Sequence, residues 1–577
     1  MIKYKPVRQL KENLLGEGDY KSIRELAERI ARVCPENKIL AELGPDKQMK
    51  YYNARDLYNE ICNLGDGLIA AGLKDAHIAI VADNCCRYVI SDMSISSGVG
   101  VVVPLDKDAP EELLVTFFEK ADIDAVLFSS HLRKKVSEAC AQCPRVKVMA
   151  TMDIKLEGLP CYDEYVAEGE RLFGQGKSVY RGLELNLDSP AKILFTSGTT
   201  GANKAVMLTG ANLAANCINC MDTIMAPTKP NTSMSVLPMH HATEINTHIM
   251  GRIGGGDLTY INDSIRTMMP NMKLYKPHIT TIVPMIAEAF YRTIWANARK
   301  QGKEEKLRKG IALSNFLRKF GIDITHKLFA DIYDNFGGNL NMIVCGGSML
   351  NPVVVKGLND IGIRVENGYG ITECGPLISM NSDTLDDHLS VGKPCPQLEV
   401  RLEDTDSEGV GELCVRGKSV AKGYYKDPAA TAEVFGADGF FNTGDSAYIK
   451  DGKVYLIGRK KNTIVLSNGK NVCPEEVENV IASNLFYALD VVVYQAESES
   501  SASQSVLCAG LYIDDETVRA DREKIISDIV KINSLLPSYK AIDYVELPDK
   551  PYEKTSSAKI KRAVLPTKCS GEGIRII

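Results

Sequence analysis

The stretch "ILFTSGTTGANKAVML" (residues 193–208) joins an apolar, strand-like run to a loop of hydroxyls and glycines and then to one lysine, Lys204. Small residues after a strand leave peptide N–H groups unshielded and let the chain turn into concave shapes that hold anions. Four of the six residues from Thr196 to Gly201 carry a hydroxyl (Thr196, Ser197, Thr199, Thr200), more than a bending linker needs, so a phosphate is the expected ligand. The Walker pattern of nucleotide-binding loops requires four residues between two glycines and then Gly-Lys-Ser/Thr. Here Gly198 and Gly201 stand too close, and Lys204 lies between Asn203 and Ala205, so the spacing argues against a P-loop NTPase.

Outward from this loop the chain alternates. "SIRELAERIARV" has a capping-box pattern, Ser22 with Glu25, and apolar Ile23, Leu26, Ile30 and Val33 at helical spacing. "AHIAIVA", "DAVLFS", "VKVMAT" and "KILFTS" are short β-rich runs separated by helical stretches such as "ARDLYNEICNLGDGLIAAGL". "MSVLPM", "DLTYIN", "HITTIVP", "NMIVCGG" and "GIRVENGYG" continue the alternation, the pattern of an α/β protein with largely parallel sheets. From about residue 398 closely spaced strands, "GELCVRG", "KVYLIGR" and "NTIVLSNGKN", predict a β-rich part. The last 120 residues read as a small α+β unit, giving an expected division at 1–458 and 459–577, with a hinge near Arg459 to Lys461.

Bulk properties bound the function. With 577 residues, 45% hydrophobic and 25% charged, the chain has globular composition and length for several domain-sized units. A net charge of −6 and a pI near 5.9 argue against a general nucleic-acid binder. No apolar run reaches 18 residues and the N-terminus is too charged for a signal peptide, so a cytoplasmic protein is expected. The sixteen cysteines include two C-x-x-C pairs, Cys140/Cys143 and Cys217/Cys220, but these lie too far apart for a zinc ribbon and read as core packing.

Five motifs, in order, resemble those of the adenylate-forming superfamily of acyl-CoA synthetases, luciferases and peptide-synthetase adenylation domains: "FTSGTTGANK", "GYGITE", "FNTGD", "GRKKNTIVLSNGKNVCPEEVE" and "KTSSAKIKR". The resemblance spans nearly the whole chain and is closest to long-chain fatty acid:CoA ligases. It implies ATP, Mg²⁺ and coenzyme A as reactants, and activation of a carboxylic acid to acyl-AMP before transfer to a thiol. On this reading Thr196, Ser197, Gly198, Thr199, Thr200, Gly201 and Lys204 hold the β- and γ-phosphates, Thr196 and Glu373 orient Mg²⁺, and Thr372 touches the α-phosphate. Gly346, Gly347 and Ser348, with Asn367, Gly368, Tyr369 and Gly370, would enclose adenine, Tyr369 stacking on it. Asp445 would accept the ribose hydroxyls, with Arg459 bracing the sugar. Lys559 would be the catalytic lysine, carried by a small domain that swings about Lys461 and then brings Gly469 to a pantetheine tunnel. The chain departs from the family pattern at Ala205 and Ala558, where glycine is usual.

Residues 292–336 hold ten Lys/Arg against five Asp/Glu in an otherwise acidic chain, with an apolar stripe of Leu313, Phe316, Leu317 and Phe320. A similar basic segment is typical of long-chain synthetases, which implies a fatty acid. The stripe is expected to cover the core, with peripheral contact to anionic lipid as the alternative. In "LPMHHATEINTH", His240, Glu244 and His248 recur at i, i+4, i+8 like metal ligands, but the resemblance assigns His240 or His241 to the acyl-pocket entry. The expected activity is therefore an AMP-forming fatty acid:CoA ligase. The alternatives are transfer to a separate acyl-carrier protein, activation of an aryl acid, or a nucleotide sensor without activity.

Overall fold

The structure is a computed structural model describing residues 5–6, 8, 19–196, 203–226, 231–382, 387–466, 469–498, 501–554, 560–568 and 573–576. Ser197 to Gly201, Ala558 and Lys559 lie outside the described residues.

Two large sheets organise the first four hundred residues. One is seven-stranded, in the order Gly423–Tyr424, Lys204–Thr209, Pro190–Thr196, Val101–Pro104, His77–Val81, Ala125–Phe128, Val148–Thr151. The other is nine-stranded and runs from Lys393–Pro394 through Leu377–Asn381, Arg364–Gly370, Met342–Cys345, Ile279–Ile282, Thr232–Ser235, Leu258–Ile261 and Lys38–Leu43 to Met49–Asn53. Their centres are parallel; both edges of the nine-stranded sheet are antiparallel, and in the seven-stranded sheet only the edge that holds Gly423–Tyr424 and Lys204–Thr209 is.

Side-chain alternation builds the layers. In His77–Val81, Ile78 and Ile80 enter one apolar cluster while Ala79 and Val81 enter another, the period of two expected of a strand covered on both faces. The first cluster joins Ile39 and Leu40 of the nine-stranded sheet to the helices Ile23–Val33, Ala54–Ala70 and Gly210–Thr223, which lie between the sheets. The outer faces are covered by Glu111–Lys120 on one side and by Met268–Tyr275, Pro284–Lys300 and Pro352–Asp360 on the other. The mixed α/β architecture expected from the alternation is the one observed.

Leu398–Glu403, Gly411–Gly417, Phe441–Lys450 and Lys453–Arg459 form a four-stranded antiparallel sheet. Beyond it, Asp490–Ser498, Ser501–Tyr512, Tyr544–Glu546 and Ile574–Arg575 form a mixed four-stranded sheet whose central pair is parallel, and Val472 to Ile574 close their own apolar core.

Several local expectations change. Ser22 caps Ile23–Val33, accepting from the Glu25 N–H at 3.1 Å, but the Glu25 carboxylate reaches the Lys21 N–H, not that of Ser22. Val33 is exposed, and Ala27 joins Ile23, Leu26 and Ile30 in the core. The larger correction is Glu304–Arg318. Its inward side is Leu307, Ile311 and the buried Ser314, while Leu313, Phe316 and Phe320 of the expected core stripe face solvent. The helix rests on the nine-stranded layer along a narrow strip, so a serine suffices inside and the wider apolar stripe is left out.

Candidate active site

Pro190–Thr196 pairs antiparallel with Lys204–Thr209, placing Thr196 opposite Lys204 at the mouth of the glycine-rich loop. The Lys204 ammonium lies 4.7 Å from the ring centroid of Tyr424, and the Tyr424 hydroxyl donates to Glu373 Oε1 at 2.8 Å. A chain of contacts thus links the loop's flanks to the carboxylate of "GYGITE". Tyr424 was not singled out in the sequence. Its signal is "AKGYYKDP", where Gly423–Tyr424 adds an antiparallel edge beside Met207 and Val206.

Glu373 sits in the short turn Thr372–Cys374, and its backbone carbonyl accepts from the Ala421 N–H at 2.7 Å. Burial holds its carboxyl above the ordinary glutamate range, opposed by the Tyr424 hydroxyl and by the charges of Arg459 and Lys204. Hydroxyl and carboxylate oxygens are the donors a hard divalent cation takes. Thr196 and Glu373 fit that chemistry, and among the described residues the Glu373 carboxylate accepts from one side chain, Tyr424, on Oε1.

A second constellation lies beside the first. Asp445 and Arg459 face each other across Phe441–Lys450 and Lys453–Arg459, with Nε to Oδ1 at 2.8 Å. Asp445 Oδ2 accepts from the Tyr369 hydroxyl at 2.6 Å. Arg459 also donates to the Thr443 carbonyl at 3.0 Å, and the Thr443 hydroxyl accepts from the Asp445 N–H at 3.1 Å. Gly444 takes φ 71°, a left-handed turn open to glycine, which presents Asp445 on the bulge. Tyr369 is therefore tied by its hydroxyl to the carboxylate read as the ribose acceptor, and burial beside that carboxylate pushes its phenol well above the usual range.

Neighbouring backbone is close. Cys345 pairs with Asn367, and a Cβ at Gly346 would stand 3.0 Å from the Gly368 carbonyl oxygen. A Cβ at Gly370 would stand 2.4 Å from the Pro376 carbonyl oxygen, so "GYGITE" is packed to contact along its length. Gly347 and Ser348 are exposed at the end of that strand pair.

Behind the site runs a buried polar relay. Lys192, fully buried four residues before Thr196, donates at 2.7 Å both to Asp92 and to Asn246 Oδ1. Asn246 Nδ2 donates to the Gly375 carbonyl at 3.2 Å, and Asn216 joins the Asn246 carbonyl to the Leu377 N–H. This relay connects the strand before the phosphate loop to the turn carrying Glu373.

The rings of His240 and His241 lie tilted at 47° with centroids 4.1 Å apart, and His240 Nε2 lies 4.0 Å from Asp106. Burial, then the neighbouring His241, lowers the His240 pKa to about 3, and burial also lowers that of His241, so both are neutral near pH 7. The i, i+4, i+8 alignment is broken, because His240 and His241 precede the π-helical turn Thr243–Ile249. Only Glu244 and His248 approach each other, at 3.3 Å. Among the described residues no three His, Cys, Asp or Glu side chains are grouped to hold a metal ion. The cysteines of both C-x-x-C pairs are free, and Cys217 and Cys220 are buried.

Lys461 lies in the turn Lys460–Asn462, directly after Arg459, and Gly469 (φ 78°) closes the hairpin of Ile464–Val465 with Asn471–Val472. Lys554 and Ile560 bridge antiparallel around the segment that contains Lys559. Lys554 acts as an opposing charge on the buried Glu288 of Pro284–Lys300, and Arg292 of that helix donates to the Ala488 carbonyl at 3.4 Å.

The family model described as AMP-binding enzyme matches residues 27–425. The chain is 27% identical over 540 residues to long-chain-fatty-acid–CoA ligase 1 of Homo sapiens, covering 87% of this chain and 75% of that protein. It is 26% identical over 546 residues to a chloroplastic long-chain-fatty-acid–[acyl-carrier-protein] ligase of Arabidopsis thaliana, covering 82% and 74%. In fold it matches the A domain of a carboxylic acid reductase from Segniliparus rugosus, solved with AMP and a co-purified carboxylic acid. The TM-score is 0.74 at 19% identity, over 97% of this chain and 94% of that one. With the family model spanning well over half its length, the chain belongs to the AMP-binding enzyme family, as an AMP-forming acid–thiol ligase.

Proposed function

We propose that the enzyme converts a medium- to long-chain fatty acid and ATP to acyl-AMP and pyrophosphate, and then transfers the acyl group to the thiol of coenzyme A. The observation that carries this reading is the pair of adjacent constellations, Tyr369–Asp445–Arg459 and Glu373–Tyr424–Lys204. A carboxylate held between a phenol and a guanidinium is suited to a ribose diol. Beside it, a lysine and a buried glutamate at the mouth of a glycine-rich turn are suited to a metal-bound triphosphate. Mg²⁺, when bound at Glu373 and Thr196, would offset charge building on the phosphates. Lys204 would attract the β- and γ-oxygens, Thr372 would donate to the α-phosphate, and Asn367 to Gly370 with Gly346, Gly347 and Ser348 would enclose the base. The neutral His240–His241 pair, with no positive charge to hold a second anion, suits the entry of an apolar acyl chain.

For the second step we infer a swing of residues 459–577 about Lys461. The charge of Lys554 felt by Glu288 supports an approach of the C-terminal residues to the helix Pro284–Lys300. Gly469 would then reach the pantetheine arm after rotation.

The test is acid-dependent pyrophosphate release over a panel from acetate to stearate and benzoate, followed by acyl transfer to free CoA. Each methylene that fits should improve binding by about 0.8 kcal/mol, nearly fourfold. Preference for acetate or benzoate over every acid of eight or more carbons would overturn the fatty-acid reading. The similarity to an acyl-carrier-protein ligase supports a second reading, in which a separate carrier protein presents the thiol. Transfer to that carrier with none to free CoA would establish it.

A further inference from the structure

The helix Glu304–Arg318 and the turn after it carry the most concentrated exposed apolar group of residues 301–330. Leu313, Phe316, Phe320 and Ile322 are 50%, 56%, 67% and 51% exposed, with Leu328 also at the surface. The rings of Phe316 and Phe320 lie edge to face, 5.2 Å between centroids. Lys306, Lys309, Leu313 and Phe316 recur at i, i+3, i+7, i+10, which at 100° per residue places them on one side of the helix, opposite Leu307, Ile311 and Ser314.

The charges around this group are predominantly positive. Residues 303–328 hold seven Lys/Arg against three Asp/Glu in a protein of net charge −6. Lys303, Lys306, Lys319 and Lys327 are exposed and carry no ion pair among the described residues. The acidic neighbours are accounted for: Glu304 meets Arg308, Glu305 meets Lys309, and Asp323 faces Arg318.

A contiguous apolar surface rimmed by polar groups marks a contact site, and its charge selects the occupant. A second copy docked about a twofold axis would bring this net-positive surface against itself, like charge against like. An anionic bilayer offers what both halves lack, hydrocarbon for the phenylalanines and phosphates for lysines whose methylene stems can lie along the interface. No helix among the described residues is long and apolar enough to cross a membrane, so the contact would be interfacial. We propose that this stripe seats the protein on anionic lipid, with Phe316 and Phe320 entering the interface and Lys303, Lys306, Lys319 and Lys327 at the lipid phosphates.

The test is co-sedimentation of the full chain with vesicles of phosphatidylcholine alone and with a third phosphatidylglycerol. The expected result is binding to the anionic vesicles only, weakened by salt, and reduced at least tenfold both in Phe316→Ser/Phe320→Ser and in Lys306→Glu/Lys319→Glu. Acid-dependent pyrophosphate release without vesicles should stay at the wild-type level in both, since none of these residues belongs to the site. A second measurement replaces the chain's one tryptophan and places another in the stripe, Trp295→Phe/Phe316→Trp. Its emission should shift to the blue on anionic vesicles and be quenched by brominated acyl chains. Absence of binding to anionic vesicles, binding that survives both double substitutions, or a wild-type dimer that Phe316→Ser/Phe320→Ser converts to monomer would each overturn the proposal.

Discussion

Glu373 shows how one buried side chain couples chemistry to pH. It must be ionised to hold a metal ion, yet burial keeps its carboxyl above the ordinary value of 4.5. The kcat/KM for MgATP should therefore fall on acidification with an apparent pKa above that of a free glutamate, a limb belonging to the free enzyme. Glu373→Gln should lower acid-dependent pyrophosphate release by about two powers of ten or more and abolish the limb, with the fold retained by circular dichroism. The same shift has the opposite sign for stability. The folded state holds the proton more tightly than the unfolded chain, so this contribution is present below the unfolded pKa and is lost as pH rises through the folded one. Denaturant titrations of wild type and Glu373→Gln should diverge in that direction.

At the scale of elements, the relay from Asp92 through Lys192 and Asn246 to Gly375 is built from groups that burial would otherwise penalise. Burial lowers the Lys192 pKa and raises that of Asp92, each opposed by the other's charge. Lys192→Met would strand Asp92 without a partner and should cost about 3–5 kcal/mol in denaturant titration, whereas Asp92→Leu/Lys192→Met should recover much of the loss. The helix pair Ala54–Ala70 and Tyr162–Gly174 is held differently, by close approach. A Cβ at Gly169 would stand 1.8 Å from the Asn63 carbonyl oxygen, so Gly169→Ala should destabilise by about 1–3 kcal/mol, measured by thermal unfolding.

At the scale of the molecule, the two half-reactions should come apart. A charge about 4 Å from the reacting phosphate at an effective dielectric near 20 is worth roughly 4 kcal/mol, about three powers of ten in rate. Lys559→Ala should therefore slow acyl-AMP formation by about two to four powers of ten and spare thioester formation from supplied acyl-AMP. Lys461→Pro should do the reverse, because a fixed φ blocks the backbone change at the hinge while the adenylating arrangement stays accessible. Paired single-turnover assays on each variant decide the matter. Equal losses in both steps for both variants would mean that residues 459–577 do not alternate.

The sequence by itself determined the α/β class, the layered alternation and the places of the motif residues, because strand periodicity, glycine-rich turns and helix caps are local properties written in neighbouring residues. The turns that carry Asp445 and Glu373 were legible for that reason, while the roles expected of them and of Arg459 came from the family resemblance. Tyr424 was not, since its role arises only when a two-residue edge strand from position 423 lies against the strand that starts at Lys204. Nor was the bond from Tyr369 to Asp445, which joins residues 76 positions apart on different sheets. The relay behind the site was equally hidden, because Lys192 reads as one polar residue in an apolar strand until Asp92 and Asn246 are brought to it. The apolar stripe of Glu304–Arg318 marks the limit most clearly. Periodicity reports that a helix has an apolar face, but which face meets the core depends on what packs against it, and only the tertiary structure turned Leu313, Phe316 and Phe320 to the outside.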